Sequence, residues 1–323
     1  MSSSLEQLKA PIRVELSEFE QRFAQSMKTR VPLLNTIMNY IVRRKGKQIR
    51  PIFVLYSAGL CGEIGERTYR GAALVELLHT ATLVHDDVVD ESYQRRGFFS
   101  VNALWKNKIA VLVGDYLLSR GLLLSIDAGD YDLLQISSRA VRDMSEGELM
   151  QLERSRFLDI TEPVYFEIIR QKTASLIASC CAIGAASAGA EKDLTDRFHA
   201  FGEKIGIAFQ IRDDLFDFGD NDSGKPSGID IKEKKLTLPL IHALKQVSPS
   251  SAKEMLKLIK SKTPDKEKLT RVTAFVNENN GMEYARSIMT QLKDEAFALL
   301  GNHASRNDLD MRALVDFVID RKH

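Results

Sequence analysis

The fold is decided by the stretch GAALVELLHTATLVHDDVVD, from Gly71 to Asp90, which repeats apolar side chains at the three- and four-residue spacing of one helix face. This pattern predicts a long helix that ends in a group of aspartates. The same pattern recurs in VNALWKNKIAVLVGDYLLSRGLLLS, TEPVYFEIIRQKTASLIASCCAIGAASAG and LTDRFHAFGEKIGIAFQIRDDLFDF. Since alternating strand patterns are scarce, the sequence predicts an all-α fold.

Composition and charge narrow the function classes. The 323 residues are 44% hydrophobic and 28% charged, and the formal net charge is +1. No global attraction to nucleic acid is therefore expected, so anion binding must come from local clusters. The three cysteines lack metal-binding spacing and favour reduced thiols in a cytoplasmic protein. We expect neither a signal peptide nor a membrane span, because no run approaches about 20 apolar residues.

One long irregular stretch interrupts the helical pattern. It reads GDNDSGKPSGIDIKEKK, from Gly219 to Lys235, and is rich in glycine and charge. A loop of this length inside a helical chain is usually functional or disordered, and we predict a lid that carries lysines to a phosphate. No linker or internal repeat divides the chain, so a single domain is expected over residues 1–323.

Two groups of aspartates share the spacing DDxxD. They comprise Asp86, Asp87 and Asp90 in the first group and Asp213, Asp214 and Asp217 in the second. The first and last members of each group share a helix face, where their carboxylates repel one another. One such group alone could be a solvated helix end. Two groups predict bound cations, and carboxylate oxygens suit Mg²⁺ that bridges to substrate phosphates.

Basic and polar residues of phosphate-binding type accompany these groups. Most of them, taken singly, would be solvated surface charges. Lys172 differs because it interrupts an apolar helix, so we expect its side chain to enter a polar cavity. His79 lies two turns before Asp86, although a lone histidine there would more often belong to the core. Gln210 precedes the second group and could equally be a surface amide.

Six ordered motifs resemble the trans-isoprenyl diphosphate synthases. These motifs are GKQIRP, HTATLVHDDVVD, RRG, QKTA, FQIRDDLFDF and GK…KKLTLP, running from about Gly46 to Pro239. The resemblance implies a single-domain helical bundle around a deep central cavity, with the two aspartate motifs facing each other. It also implies a homodimer and several Mg²⁺ ions in each active site.

The resemblance also implies residue roles. Metal would be bound by Asp86, Asp90 and Asp213, with Asp87, Asp214 and Asp217 close by. Isopentenyl diphosphate would be held by Lys47, Arg50, His79 and Arg96. The allylic diphosphate would be held by Arg95, Lys172, Thr173, Gln210, Lys225 and Lys235. Among all of these, Asp86, Asp90, Asp213, Lys172 and Arg95 are assigned to catalysis.

The implied reaction is chain elongation by metal-assisted ionisation of the allylic diphosphate, condensation and proton loss. The residues expected to limit product length precede Asp86 on its helix. They are Ala81 and Thr82 in the turn before it, with Leu77 and Leu78 one turn deeper. Because Ala81 and Thr82 are small, we predict a product longer than 15 carbons, which could bring loose membrane contact.

Three alternatives stay open. A short-chain synthase, making farnesyl or geranylgeranyl diphosphate, would share every motif. A class I terpene cyclase would mix asparagine, serine or threonine, and glutamate in its second metal motif. A non-catalytic synthase subunit would lack one or both aspartate motifs. The second aspartate motif and the separate basic segments favour a synthase over both of the last two readings.

Overall fold

A computed structural model describes residues 5–44, 46–95, 97–219, 228–261, 263–301 and 306–320. Two residues assigned to substrate binding from the sequence, Arg96 and Lys225, lie outside these ranges. Helices make up nearly all of the described chain, which confirms the predicted all-α class. The strands in it are Gln94–Arg95 (β1) and Phe98–Phe99 (β2), which pair antiparallel in a short hairpin.

The α-helices have the following bounds. They are Leu5–Lys9 (α1), Arg13–Ser26 (α2), Pro32–Arg43 (α3), Ile49–Cys61 (α4), Glu66–Val89 (α5), Val101–Ile126 (α6), Tyr131–Phe157 (α7), Glu162–Ile169 (α8), Ser175–Ser187 (α9), Lys192–Asp217 (α10), Ile229–Lys232 (α11), Leu238–Gln246 (α12), Pro249–Lys260 (α13), Asp265–Glu278 (α14), Gly281–Leu300 (α15) and Arg306–Asp320 (α16). Ala10–Ile12 forms a 3₁₀ turn, and Arg170–Ala174 is π-helical.

Helix α9 lies at the centre of the bundle. Twelve of its thirteen residues are buried, because α4, α5, α7 and α10 all pack against it. A helix that is apolar on every side, as SLIASCCAIGAAS is, has no solvent-facing stripe and must be enclosed. The buried Cys180 and Cys181 belong to this core as free thiols.

Glycines set how closely the helices approach one another. On α10, a Cβ added at Gly202 would lie 2.8 Å from Cα of Ala178, and one added at Gly206 would lie 2.4 Å from Cα of Ala174. On α7, a Cβ at Gly147 would lie 2.6 Å from the backbone nitrogen of Lys172. These positions therefore bring α7 and α10 directly against the π-helical turn.

One predicted helix and one predicted irregular stretch differ from the structure. The segment TEPVYFEIIRQKTASLIASC was read as one continuous helix, but it divides into α8, the π-helical turn and α9. The stretch Gly219–Lys235 was read as wholly irregular, but its described part contains α11, whose first backbone N–H groups donate to Asp217. Period-3.6 patterns do not distinguish a π turn from an α turn, because one extra residue leaves the apolar stripe nearly intact.

Helix α6 has the length and apolar composition of a membrane span. This segment was not identified from the sequence, and the expectation of no membrane span stays a prediction. The charged residues Lys106, Lys108, Asp115 and Arg120 interrupt the apolar letters, which is why the run was missed. The same composition also suits a helix of a globular bundle, and α6 packs lengthwise on α5.

The backbone of α6 contains a strained residue. Lys106 adopts φ 72° and ψ 157°, a region that is accessible almost only to glycine. We expect Lys106→Gly to raise the free energy of unfolding by about 1 kcal/mol, because the relieved strain exceeds the entropy cost of a new glycine. Urea denaturation measures the change.

The matched control is Lys108→Gly, an exposed lysine two residues further along the same helix. There the backbone is helical, so glycine should lower the free energy of unfolding by about 1 kcal/mol. Equal destabilisation by the two substitutions would contradict the assigned strain.

Candidate active site

The first aspartate motif closes helix α5. Asp87 is buried and accepts a 2.8 Å hydrogen bond from Nε of Arg95. Its backbone carbonyl accepts a second bond, at 2.9 Å, from Nδ2 of Asn102. These contacts direct Asp87 into the protein and leave Asp86 and Asp90 exposed on the other side of the helix end. The motif therefore separates one structural carboxylate from two that can bind a ligand.

The second motif, on α10, repeats this division. Asp214 is buried and accepts hydrogen bonds from the Tyr165 hydroxyl at 2.6 Å and from Nε2 of Gln210 at 2.8 Å. Gln210 in turn accepts a 2.8 Å bond from the Thr173 hydroxyl. Burial raises the pKa of Asp214 to about 8, and the nearby Asp230 carboxylate adds to the shift. Residues 202, 206, 210 and 214 share one face of α10. Because Gly206 on this face contacts Ala174, the side chains of Gln210 and Asp214 also face the side of α10 that packs on the π-helical turn.

Asp217 ends α10 and holds the chain after the long loop. Its carboxylate accepts hydrogen bonds from the backbone N–H groups of Ile229 at 2.8 Å and of Asp230 at 3.0 Å. Its backbone carbonyl accepts a further bond from Gly228. Asp217 thus caps α11, and Asp213 is the partly exposed carboxylate of the second motif.

Lys172 lies in the π-helical turn, near Asp86 of the first motif and near Asp230. Its ammonium group donates a 2.8 Å hydrogen bond to Gln151 and forms an ion pair with Glu148. Partial desolvation, together with Glu148 and Asp90, raises the pKa of Asp86, and the Lys172 charge opposes that rise. The same lysine opposes the rise in the pKa of Asp230, which burial brings to about 6. One cation therefore acts both on the first motif and on Asp230, whose carboxylate in turn affects Asp214 of the second motif.

A cavity of about 90 Å³ adjoins the second motif. Polar side chains line one part of it and apolar side chains the other. The lining includes Lys172, Thr173, Gln210, Asp214, Asp230, Lys235, Ile160, Ile168, Ile169 and Leu236. Lys235 forms an ion pair with Glu233 at 2.5 Å and lies 3.9 Å from Asp230. This cavity is far smaller than a long prenyl chain requires.

The remaining predicted basic residues that the structure describes lie on separate elements. Arg95 is on β1, partly exposed beside Asp87, and Arg50 is in the first turn of α4. His79 is buried two turns before Asp86, on the same face of α5. Lys47 is exposed, and its ammonium lies 5.9 Å from the ring of Phe317 on α16.

The residues predicted to limit product length are buried or partly buried among neighbouring side chains. Ala81 and Leu77 have no accessible surface and lie in a cluster with Val113 and Leu117 of α6. Leu78 is buried, and Thr82 is partly buried with its hydroxyl donating to the His79 carbonyl. The small size of Ala81 does not leave an open channel in this conformation, because α6 side chains fill the space.

Sequence reasoning missed four residues of this site. They are Glu148, Gln151, Tyr165 and Asp230. Glu148 and Gln151 lie within four residues of Gly147 on α7. A glycine beside polar residues in a helix could have indicated that these polar side chains contact another helix. Asp230 is the acid in GIDIKEKK, flanked by isoleucines, and could have been recognised as partly buried. Tyr165 offered no signal beyond an aromatic position in an apolar helix.

The donors suit a divalent cation that keeps part of its water shell. Among the described residues, no group of three or more histidine, cysteine, aspartate or glutamate side chains converges into a complete metal site. The exposed Asp86 and Asp90 and the partly exposed Asp213 are hard oxygen donors on separate helices. Such donors fit a cation that also binds waters and phosphate oxygens, and do not form a closed cage.

A helical bundle that places two carboxylate motifs beside a lysine-lined cavity is suited to a phosphate ester with neutralising cations. The family description polyprenyl synthetase matches residues 31–276. The chain belongs to this family, and it is therefore a prenyltransferase.

Relatives and solved structures agree with this assignment. The chain is 35% identical over 294 residues to an all-trans-nonaprenyl-diphosphate synthase (geranyl-diphosphate specific) of Rhodobacter capsulatus, which covers 90% of each chain. A decaprenyl diphosphate synthase structure from Rhodobacter capsulatus superposes with TM-score 0.91 at 32% identity, covering 99% of this chain and 100% of that one.

A polyprenyl synthase from Caulobacter crescentus, solved with calcium and isoprenyl diphosphate, has TM-score 0.88 and 31% identity. The match covers 100% of this chain and 99% of that one. A geranylgeranyl pyrophosphate synthase from Bacteroides thetaiotaomicron also matches, with TM-score 0.81 and 35% identity over 97% of this chain and 98% of that one.

The Tyr165 hydroxyl should stabilise the fold through Asp214. We expect Tyr165→Phe to lower the free energy of unfolding by about 1–3 kcal/mol, because a buried carboxyl loses a hydrogen-bond donor. Chemical denaturation of the ligand-free protein measures it. Tyr131→Phe, at an exposed tyrosine, is the control and should have almost no effect. If both substitutions shift stability equally, the assigned role of the hydroxyl is wrong.

Proposed function

We propose that the protein condenses isopentenyl diphosphate with an allylic diphosphate and releases diphosphate, making an all-trans product longer than 15 carbons. This proposal rests on one observation: each aspartate motif contains both a buried carboxyl group and carboxylates that solvent can reach. In each motif one carboxyl group is buried and hydrogen-bonded, while Asp86 and Asp90 are exposed and Asp213 is partly exposed. The family assignment and the long-chain relatives support the same reaction.

Magnesium is the proposed cofactor, held by Asp86 and Asp90 on one side and Asp213 on the other. When bound, it would supply positive charge to the diphosphate as the carbon–oxygen bond breaks. Asp87, Asp214 and Asp217 would orient these ligands through the hydrogen bonds described above. The raised pKa values of Asp86, Asp214 and Asp230 reflect burial and mutual repulsion, which added cations would relieve.

The allylic diphosphate is assigned to the cavity beside the π-helical turn. Lys172 and Lys235 would bind its oxygens as point charges, with Thr173 and Gln210 as neutral hydrogen-bonding groups. Arg95 would reach it from the end of α5, and Lys225 is assigned to it from the sequence alone. Isoleucines and a leucine in the same lining would keep water from the allylic cation.

Isopentenyl diphosphate is assigned to the basic segments at the start of α4 and after α5. Lys47, Arg50 and His79 would hold it, with Arg96 assigned from the sequence. Its double bond attacks the allylic cation, and the released diphosphate takes the proton lost from the product. Diphosphate is suited to this step because it is formed beside the reacting carbons.

A homodimer is supported by an apolar stripe on α6. Its exposed members are Leu104, Val111, Leu112, Leu122, Leu123 and Ile126. At about 100° per residue, the five that follow Lys106 fall within one third of the helix circumference, opposite the side that packs on α5. A second copy of the chain could bury this stripe, and a monomer in sedimentation experiments would contradict that assignment.

The remaining proposals concern organisation and location. We propose one polyprenyl synthetase domain over residues 1–323, since α16 at the far end packs back on α4 and α10. We propose a cytoplasmic enzyme, because the apolar helix α6 is part of this bundle and the cysteines are free thiols. Detection of the protein in a secreted fraction would contradict the location.

Removal of an exposed carboxylate should abolish turnover while leaving the fold intact. Asp86→Ala and Asp213→Ala are expected to lower kcat by about a thousandfold or more, which corresponds to about 4 kcal/mol. Incorporation of labelled isopentenyl diphosphate measures this change. Asp127→Ala, at an exposed helix end far along α6, is the control and should retain activity. Near-normal turnover in Asp86→Ala, or in excess chelator, would refute the metal role.

Product length should depend on the side chain at position 81, five residues before Asp86. Ala81→Phe is expected to shorten the product, because an aromatic ring would prevent the surrounding side chains from opening a path for the growing chain. Chromatography of the extracted, dephosphorylated product measures chain length. Ala81→Ser, which keeps the residue small, should leave the length unchanged.

Because Ala81 has no accessible surface, phenylalanine there can destabilise the core by about 1–3 kcal/mol. Thr82→Phe, at a partly buried position of the same turn, provides a second test. A wild-type product of 15 carbons, or unchanged length in both folded phenylalanine variants, would contradict the length assignment.

A further inference from the structure

Arg44, the residue that follows α3, stacks against two aromatic rings. Its guanidinium carbon lies 3.5 Å from the centroid of the Tyr40 ring and 4.3 Å from that of Phe98. Its Nη1 donates a 3.3 Å hydrogen bond to the backbone carbonyl of Phe99, which also accepts a 2.5 Å bond from the Tyr40 hydroxyl. A planar guanidinium can stack and donate hydrogen bonds at once, which a lysine ammonium does less well.

This cluster joins three separate elements. The Tyr40 ring meets the edge of Trp105 at a centroid distance of 5.0 Å, so α3 contacts the first turns of α6 as well as the hairpin. We call Tyr40, Arg44, Phe98, Phe99 and Trp105 the aromatic clamp. Phe98 is 51% exposed and Phe99 56%, so burial alone holds the hairpin weakly. The stack and the two hydrogen bonds carry its attachment to α3.

The clamp links the two basic segments assigned to isopentenyl diphosphate. On one side, Arg44 leads directly into residues 46–50, which include Lys47 and Arg50. On the other side, Phe98 is the cross-strand partner of Arg95 in the hairpin. The opposite edge of the hairpin is already fixed, because Arg95 donates to Asp87 and the Ser100 hydroxyl donates to Ser92. Without the clamp, the hairpin would be tied to α5 alone.

We propose that Arg44 is a positioning residue for the isopentenyl diphosphate site. By holding the hairpin against the end of α3, it fixes the position of the hairpin relative to the segment that carries Lys47 and Arg50. Arg44 acts through Phe98 and Phe99, since its guanidinium is occupied by the two rings and the Phe99 carbonyl. This inference rests on the proposed function.

The first experiment needs no catalysis. Hydrogen–deuterium exchange of the free protein reports the amides of residues 94–99 in wild type, Arg44→Ala, Arg44→Lys and Arg43→Ala. Arg43 is exposed, adjacent and equally charged, so Arg43→Ala is the matched control. We expect hairpin exchange to accelerate in Arg44→Ala, to accelerate less in Arg44→Lys, and to stay at the wild-type rate in Arg43→Ala.

The second experiment measures steady-state kinetics with each substrate varied in turn. Arg44→Ala is expected to raise KM for isopentenyl diphosphate by about tenfold, while kcat and the allylic KM change by less than about threefold. Arg44→Lys should recover part of the loss. A melting curve for each variant establishes that it is folded at the assay temperature.

Each alternative result counts against the proposal. Unchanged hairpin exchange in Arg44→Ala would overturn the clamp, whether or not the enzyme is active. Equal rises in both KM values would overturn the assignment to one substrate. An equal effect of Arg43→Ala would reduce the role of Arg44 to general positive charge. Wild-type protein that condenses no isopentenyl diphosphate would instead overturn the proposed function.

Discussion

The site depends on how closely two helices approach the π-helical turn Arg170–Ala174. Gly147 on α7 and Gly206 on α10 leave no room for a Cβ at these contacts, so backbone meets backbone. The turn itself carries one more residue than an α-helical turn would, which places Lys172 and Thr173 toward the aspartate motifs. A side chain at Gly206 would push the turn away from the second motif, and one at Gly147 would push α7 away from the turn.

Each of the two motifs contains one buried carboxyl group that the protein itself hydrogen-bonds. A buried carboxylate in each is satisfied by donors from the protein, namely Arg95 for Asp87, and Tyr165 with Gln210 for Asp214. These bonds fix the helix ends. Burial and the neighbouring carboxylates Glu148 and Asp90 raise the pKa of Asp86, so added positive charge would stabilise its ionised form. A diphosphate neutralised by divalent cations would supply that charge.

Helical class, the positions of the main helices and the residues of both motifs could be read from the sequence, because apolar periodicity and repeated aspartates are local signals. The π-helical turn could not, since an extra residue barely disturbs that periodicity. Glu148 and Asp230 were missed because their roles come from neighbours distant in sequence. The tight packing around Ala81 could not be predicted from the sequence either. The size of one residue does not show which α6 side chains fill the space beside it.

The central claim is that the exposed carboxylates bind an allylic diphosphate through divalent cations. Calorimetric titration with a thiodiphosphate analogue that does not ionise tests it most directly, in magnesium and in excess chelator. The account predicts binding at least about 100-fold tighter in magnesium, or about 2.7 kcal/mol, and loss of that difference in Asp86→Ala. Equal affinity in magnesium and in chelator would contradict it.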